Sequence, residues 1–410
     1  MKLLVFTTLF PHPGAPHHGV FVLERLRHWL AGSSSSSGSS PSSIVAPREA
    51  VVVAPVPWVP RLLARGRHAA LWDVPIEERR EGIRVFHPRY LLLPKMGMSL
   101  APLTLARAGL KCARRLIQAG ERFDLVDAHY LYPDGVAAAR IAGSLSLPLV
   151  VTARGSDVTL LPRYSIPRRW LRWMLARASA AVVVAEALRR ELAPLAPREL
   201  PIVTLRNGVD LERFRPLPRD AARARLKWPP TRRIVLSVGH LIERKGHHHL
   251  LAALPRLPAD VDVKIVGDGE ERARLERLAA SLGVAARVEF CGRMAHEELH
   301  VAFSAADALA LLSSREGWPN VLLESMACGT PVVATRVHGT PEVVRDLAVG
   351  RLVDSTEPPA VAAALEELLS HPRDRGRVRA YAEDHSWTRT VDGMEELFLR
   401  VVASRRGAVA

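Results

Sequence analysis

The sequence predicts an α/β protein made of two doubly wound, Rossmann-like domains facing across a cleft. Three observations carry that expectation. At 410 residues the chain is too long for one ordinary core. Apolar, β-branched runs alternate with helical spacing twice over, on either side of a Pro/Arg-rich stretch that ends at Pro230. The runs end in loops carrying glycine and polar residues, which is where parallel sheets bind ligands. The expected domains span 1–210 and 211–385, with a final helical segment at 386–410 directed back toward the first.

In chain order, 2–8 reads as a buried strand, 10–19 as a turn-rich loop and 20–30 as a helix with Val20, Leu23, Leu26 and Leu30 on one face. The low-complexity block at 33–43 reads as a disordered surface loop, because it has no apolar surface to bury. Strand character returns at 50–54, and the Pro-rich run 55–89 supports no assignment. A helix at 103–119 precedes a strand at 123–129 that ends on His129. A loop at 130–135, a small-residue helix at 136–142 and strands at 147–152, 180–184 and 202–205 complete the first domain. The second alternation has strands at 234–238, 261–266, 287–290, 308–312, 332–334 and 350–353. Helices are expected at 270–282 and 297–305, and from 358 to 402 with a break near Ser386.

Composition narrows the function. Apolar residues make up 48% and charged residues 24%, a globular balance. Long apolar runs are interrupted by Arg, Glu or Pro, so no transmembrane helix is expected. The N-terminal run lacks a small-residue cleavage site and reads as a first strand, not a signal peptide. Cys112, Cys291 and Cys328 are too scattered for a disulfide framework or a zinc site and suit a reducing, cytoplasmic compartment. A net charge of +15 points to acidic partners: phosphorylated substrates, anionic lipid or nucleic acid. An Arg-rich codon bias produces the same surplus without a dedicated patch. No nucleophile elbow, Walker A loop or CxxC pair is present, and no nucleic-acid module is recognisable.

The most informative stretch is 313–335. Glu316 opens it, Gly317-Trp318-Pro319-Asn320 forms a tight loop, Val321 follows, and Glu324 stands eight positions after Glu316. Pro319 suits the first helical position and Gly329 the left-handed stop beyond the helix. The helix start is then an anion site, and the two carboxylates beside it suit sugar hydroxyls. Arg244 and Lys245, at the carboxyl end of the second domain's first strand, stand at a helix start that disfavours cations unless an anion shares it. Gly267 in Gly267-Asp268-Gly269 reads first as a tight turn and second as a backbone contact to a ligand. His129 reads either as a core histidine or as a polar group aimed at a hydroxyl or at developing charge. His247, His248 and His249 point different ways and read as helix surface, without a metal. The segment 160–177, with five arginines, Tyr164, Trp170 and Trp173, reads either as a helix lying on anionic lipid or as one packed on its own sheet with solvated arginines.

Taken together, Asn207-Gly208-Val209-Asp210, Phe214-Arg215-Pro216, Arg244-Lys245-Gly246, Gly267-Asp268-Gly269, Gly292 and the Glu316-x7-Glu324 stretch resemble the retaining family-four glycosyltransferases of the GT-B fold, over essentially the whole chain. Tyr132 through Gly135 and Thr152 through Asp157 look like the exopolysaccharide and teichuronic-acid subgroup, except that Arg154 stands where that subgroup has histidine. The resemblance implies that 1–210 binds the acceptor and 211–385 a nucleotide-sugar. Glu324 would hold the ribose, and Arg244 and Lys245 the diphosphate. Gly19 would let a loop approach that diphosphate. Backbone N–H groups at 317–321, including those of Gly317, Trp318, Asn320 and Val321, would contact phosphate and sugar. Glu316 would bind the transferred sugar, and His129 would sit beside the reacting carbon. The implied reaction is hexosyl transfer with retained configuration, without metal or cofactor, to a glycan or polyprenyl-linked acceptor at the inner face of a membrane. A sugar phosphorylase, a nucleotide-sugar epimerase and a basic nucleic-acid-binding protein are the rival readings, with nucleic acid not expected as a partner.

Overall fold

A computed structural model describes residues 1–32, 47–60, 70–92 and 97–409. The loop expected at 33–43 lies outside the described residues. The chain divides into two compact units, Met1–Arg206 with Thr388–Ala410, and Asn207–Trp387.

The first unit contains β1 (Lys2–Phe6), α1 (Val20–Ala31), β2 (Glu49–Val53), β3 (Val56–Trp58), β4 (Glu77–Arg80), β5 (Ile83–Phe86), β6 (Arg89–Leu91), α2 (Gly97–Gln118), β7 (Leu125–His129), α3 (Val136–Leu145), β8 (Leu149–Ala153), α4 (Ser156–Thr159), α5 (Ser165–Leu175), β9 (Ala180–Val183), α6 (Glu186–Leu192) and β10 (Ile202–Thr204). Its main sheet runs β10-β9-β8-β7-β1-β2-β5-β4, and only β4 is antiparallel to its neighbour. Every residue of β7, β8 and β9 is buried, which is why these strands are continuous apolar runs and not alternating ones. The run 55–89 does hold structure. Strands β3 and β6 pair as a small parallel sheet, and β4 and β5 form the edge of the main one. The segment 160–177 is not one helix. A turn at Leu161–Arg163 precedes α5, which opens next to Pro167.

The second unit contains α7 (Arg219–Leu226), β11 (Arg233–Val238), α8 (His247–Ala253), β12 (Val261–Val266), α9 (Arg272–Ser281), β13 (Val288–Gly292), α10 (Leu299–Ala305), β14 (Ala308–Leu311), α11 (Asn320–Ala327), β15 (Val332–Thr335), α12 (Thr340–Val343), β16 (Gly350–Val353), α13 (Pro358–Ser370) and α14 (Arg375–Glu383). Its sheet is wholly parallel in the order β13-β12-β11-β14-β15-β16. One face is closed by α8, α9 and α13 through Leu250, Leu251, Leu275, Leu365 and Leu368 against Val235, Val263, Ile265 and Val333. The strand order reverses between β11 and β14, so the loops leaving these two strands diverge at a topological switch point. Helix α15 (Thr388–Val409) belongs to the first unit. There Trp29 Nε1 donates to Glu395 Oε2 at 2.9 Å and packs edge-on against Phe398 at 6.0 Å.

Two local expectations are corrected. His247 is not on the helix surface. It is 2% exposed, with Nδ1 2.9 Å from Ser237 Oγ, because the first residue of α8 faces β11. Pro319 is the residue before α11 and not its first, with φ −81° and ψ 83°. No helix among the described residues is long and apolar enough to cross a membrane.

Candidate active site

The loop after β11 and the loop after β14 meet at the switch point of the second unit. Gly246 makes their approach feasible. Its φ is +72°, and a Cβ there would lie 2.0 Å from the Leu312 carbonyl oxygen. Only glycine lets the turn Glu243–Lys245 rest on the end of β14. With the two loops in contact, Arg244 Nη1 donates to the Arg315 carbonyl at 2.9 Å, and Ser314 N donates to the Arg244 carbonyl at 2.9 Å. Lys245 Nζ reaches Glu316 Oε1 at 2.7 Å. Glu316 is 8% exposed. Burial alone pushes its carboxyl up, but the Lys245 ammonium and the Arg244 charge outweigh burial and hold it below the usual range. Gly267 closes the neighbouring strand end. A Cβ there would lie 1.9 Å from the Gly239 oxygen, so the turn itself requires glycine.

Helix α11 starts in this loop without a side-chain cap. Trp318 is buried, while Gly317, Asn320 and Val321 are half-buried. Asn207 Nδ2 donates to Asn320 Oδ1 at 3.1 Å, tying the start of the unit to the start of the helix. The far end is closed in a different way. Gly329 adopts φ +78°, Thr330 N donates to the Ser325 carbonyl at 3.0 Å, and Arg379 Nη1 donates to the Ala327 carbonyl at 2.8 Å. Glu324, in the second turn, lies with Oε1 3.2 Å from His296 Nε2, and His296 Nδ1 lies 3.1 Å from Arg213 Nη1.

Gly19 and His129 belong to the first unit, at the carboxyl ends of neighbouring strands β1 and β7. Gly19 has φ +70°, and a Cβ there would lie 2.2 Å from the Leu9 oxygen, so its own loop demands glycine. His129 is 2% exposed. Arg154 Nη2 lies 2.8 Å from its Nδ1, and Asp127 Oδ2 lies 3.3 Å from its Nε2. A guanidinium can only donate, so Nδ1 accepts and the ring proton sits on Nε2, facing Asp127. Burial lowers the His129 imidazole to about 4, with Arg154 and Arg25 adding to burial and Asp127 opposing it. Two buried carboxylates brace this end of the sheet. Asp134 accepts from Thr8 N at 2.6 Å, and Asp157 accepts from Gly155 N at 2.7 Å and Leu131 N at 2.8 Å.

Residues 218–385 match the family model for glycosyl transferases group 1, and residues 49–213 match the model for glycosyltransferase family 4. Each model covers less than half of the chain, and together they show that both halves resemble glycosyltransferase domains. Among curated relatives, a D-inositol 3-phosphate glycosyltransferase of Mycolicibacterium gilvum is 41% identical over 206 residues, 48% of this chain and 46% of that protein. The chain thus spans about half the length of the curated relatives it matches. Among solved structures, sucrose-phosphate synthase from Thermosynechococcus elongatus superposes with a TM-score of 0.78 at 21% identity, covering 98% of this chain and 99% of that one. Anabaena HepE in complex with UDP and glucose superposes with a TM-score of 0.71 at 22% identity, covering 97% and 98%. At that identity the likeness establishes the GT-B fold.

Within the second unit, the switch point gathers Arg244, Lys245, Glu316 and the residues from Gly317 to Glu324. The sequence reading missed Asn207, Arg213 and His296 in the second unit, and Asp127 and Arg154 in the first. Asn207 was quoted only as part of a motif, and its partner is 113 residues away. Arg154 was noticed only as a departure from a subgroup pattern. Spacing alone gives no signal for its contact with a histidine 25 residues earlier on another strand.

Proposed function

We propose that this protein is a retaining glycosyltransferase that moves a hexose from a nucleoside-diphosphate-sugar to a glycan or lipid-linked acceptor. The observation that carries the reading is the Lys245–Glu316 pair at 2.7 Å, next to the uncapped start of α11. One ammonium N–H engages Glu316, which leaves two for a diphosphate. Arg244 and the helix start add to the same positive field. When the sugar–phosphate bond breaks, negative charge builds on the diphosphate, and these groups stabilise it without a metal ion. Glu316, held ionised by Lys245, accepts hydrogen bonds from the transferred sugar, and Glu324 accepts them from the ribose. The backbone N–H groups of Gly317, Trp318 and Val321 meet phosphate and sugar, with Gly267 giving close backbone approach, while the Asn320 N–H donates to the Trp318 carbonyl at 3.1 Å. His129, kept neutral at physiological pH by burial, is held between Arg154 and Asp127.

The acceptor has two readings. Five exposed arginines with Tyr164 and Ile166 in and around α5 favour a lipid-linked acceptor at an anionic membrane surface. The names of the curated relatives favour a phosphorylated polyol instead.

A thermal-shift screen against nucleotide-sugars tests the donor. The correct donor at a hundredfold excess over its Kd should add about 2.7 kcal/mol of stability. Lys245→Ala and Glu324→Ala should each remove the shift while remaining folded. Products separate the chemistry. Free nucleoside diphosphate with a new glycoside supports transfer, whereas a sugar phosphate or an isomerised donor supports a phosphorylase or an epimerase. Activity that a chelator abolishes and manganese restores would overturn metal independence.

A further inference from the structure

We propose that His296 is a positioning residue for Glu324, fixed in one tautomer by Arg213, and that this relay sets how strongly the site reads ligand ribose hydroxyls. The inference rests on the donor reading above and extends it to residues outside the Glu316–Glu324 stretch.

The geometry comes from three elements of the second unit. Arg213 lies in the segment leading to α7, His296 opens the turn His296–Glu298 before α10, and Glu324 lies in α11. Arg213 Nη1 lies 3.1 Å from His296 Nδ1, and His296 Nε2 lies 3.2 Å from Glu324 Oε1. A guanidinium carries donors and no acceptor. Nδ1 must therefore accept, and the single ring proton of the neutral imidazole must sit on Nε2. Nε2 donates it to the carboxylate. Neither the other tautomer nor the doubly protonated ring fits, because each would place an N–H against the Arg213 N–H. Phe214 holds the ring from the side, edge-on with centroids 5.1 Å apart.

The consequence concerns Glu324. A glutamate in the second turn of a helix has three rotatable side-chain bonds, and its side chain here is 13% exposed. A donated bond to Oε1 fixes the carboxylate plane before any ligand arrives. The ordering cost is then met in the free protein, not at binding. The oxygen lone pairs that His296 leaves open are those that vicinal hydroxyls would use. His296 touches no ligand atom in this scheme and acts through Glu324.

The test measures UDP, GDP and ADP, each against its 2′,3′-dideoxy analogue, by isothermal titration calorimetry on the full chain. Wild type should prefer the ribo form of its nucleotide by roughly tenfold or more, the range for hydrogen bonds to a charged group. Glu324→Ala should erase that preference. His296→Phe keeps the packing on Phe214 but removes the donor, and should reduce the preference to within about threefold. His296→Gln, which can still donate to Glu324, should restore most of it. In turnover, His296→Phe should raise the donor KM and leave kcat nearly unchanged, the pattern for lost uniform binding. A His296→Phe protein that weakens ribo and dideoxy ligands equally has only a structural role for His296, and the proposal falls. If His296→Phe does not fold, the decision passes to Arg213→Met. It should narrow the ribo preference, and an unchanged preference overturns the relay. If wild type binds none of the three nucleotides, or Glu324→Ala keeps the ribo preference, the donor reading itself fails.

Discussion

Gly246 and Gly283 share nearly the same backbone, with φ +72° and +69°, but not the same surroundings. A Cβ at Gly283 meets nothing within 4 Å, whereas at Gly246 it would lie 2.0 Å from the Leu312 oxygen. Gly283→Ala should therefore cost only the left-handed penalty, about 1–2 kcal/mol. Gly246→Ala should cost that and also force the two loops apart, about 3 kcal/mol or more in total. It should also separate Lys245 from Glu316, so the donor-induced thermal shift should vanish. Urea denaturation of both variants checks the comparison, and equal costs would mean that Leu312 does not impose the glycine. At this scale the sequence showed what is carried by residue type and short spacing: Glu316, Glu324, Arg244, Lys245 and the glycines. It did not show partners contributed by distant segments. Arg213 and His296 are 83 residues apart, and no short spacing links them to each other or to Glu324.

Helix α5 shows how an element's two faces do different work. Pro167, Leu171, Met174 and Leu175 are buried, which anchors the helix to its own unit. Arg163, Arg168, Arg169, Arg172 and Arg177 are exposed, with Tyr164 58% and Ile166 48% exposed. Trp170 and Trp173 meet edge to face at 5.5 Å, and the Arg140 guanidinium stands within 6.0 Å of both rings. The two sequence readings of this segment are thus compatible, since packing uses one face and leaves the basic face outward. The membrane role proposed for it predicts binding to phosphatidylglycerol-rich vesicles that neutral vesicles do not support. Reversing Arg168, Arg169 and Arg172 to Glu should lower that affinity at least a hundredfold, at about 1 kcal/mol per basic residue near the surface. Co-sedimentation measures it, and an unchanged variant would remove the lipid role. Other elements were illegible for a plain reason. Strand β4 is Glu-Glu-Arg-Arg, which has no apolar alternation, and only its antiparallel pairing with β5 makes it a strand.

Across the whole molecule, buried titratable groups set the pH response. Burial is the main cause that lowers His12, His129 and His247 to about 4, and it shifts His18, His248 and His249 the same way. For these groups the unfolded chain takes up protons near pH 6.5 while the folded chain does not. Their stabilising effect is present above that pH and is lost as pH falls toward 4. Asp134 opposes them. Burial raises its carboxyl to about 7, so its share is present below the usual Asp range and is lost as pH rises toward 7. Asp157 leans the same way as Asp134. The histidines outnumber the two aspartates, so unfolding should take up protons. The free energy of unfolding should fall between pH 7 and pH 5, by about 1.4 kcal/mol per unit for each net proton at most. Urea midpoints across that range provide the check, and a flat or rising profile would contradict the assignment.

The sequence by itself determined the two α/β units, most of their strands, and the residue types at the switch point. Each of these is encoded locally, in apolar runs, in glycines with obligatory backbone angles, and in a carboxylate spacing that fits one short helix. Tertiary structure alone decided that Lys245 neutralises Glu316, that Arg213 and His296 orient Glu324, and that Arg154 and Asp127 hold His129. Each of these depends on parallel strands and crossover helices bringing together side chains that are unrelated in the chain. A hydrogen bond across such a distance leaves no periodic trace in the sequence.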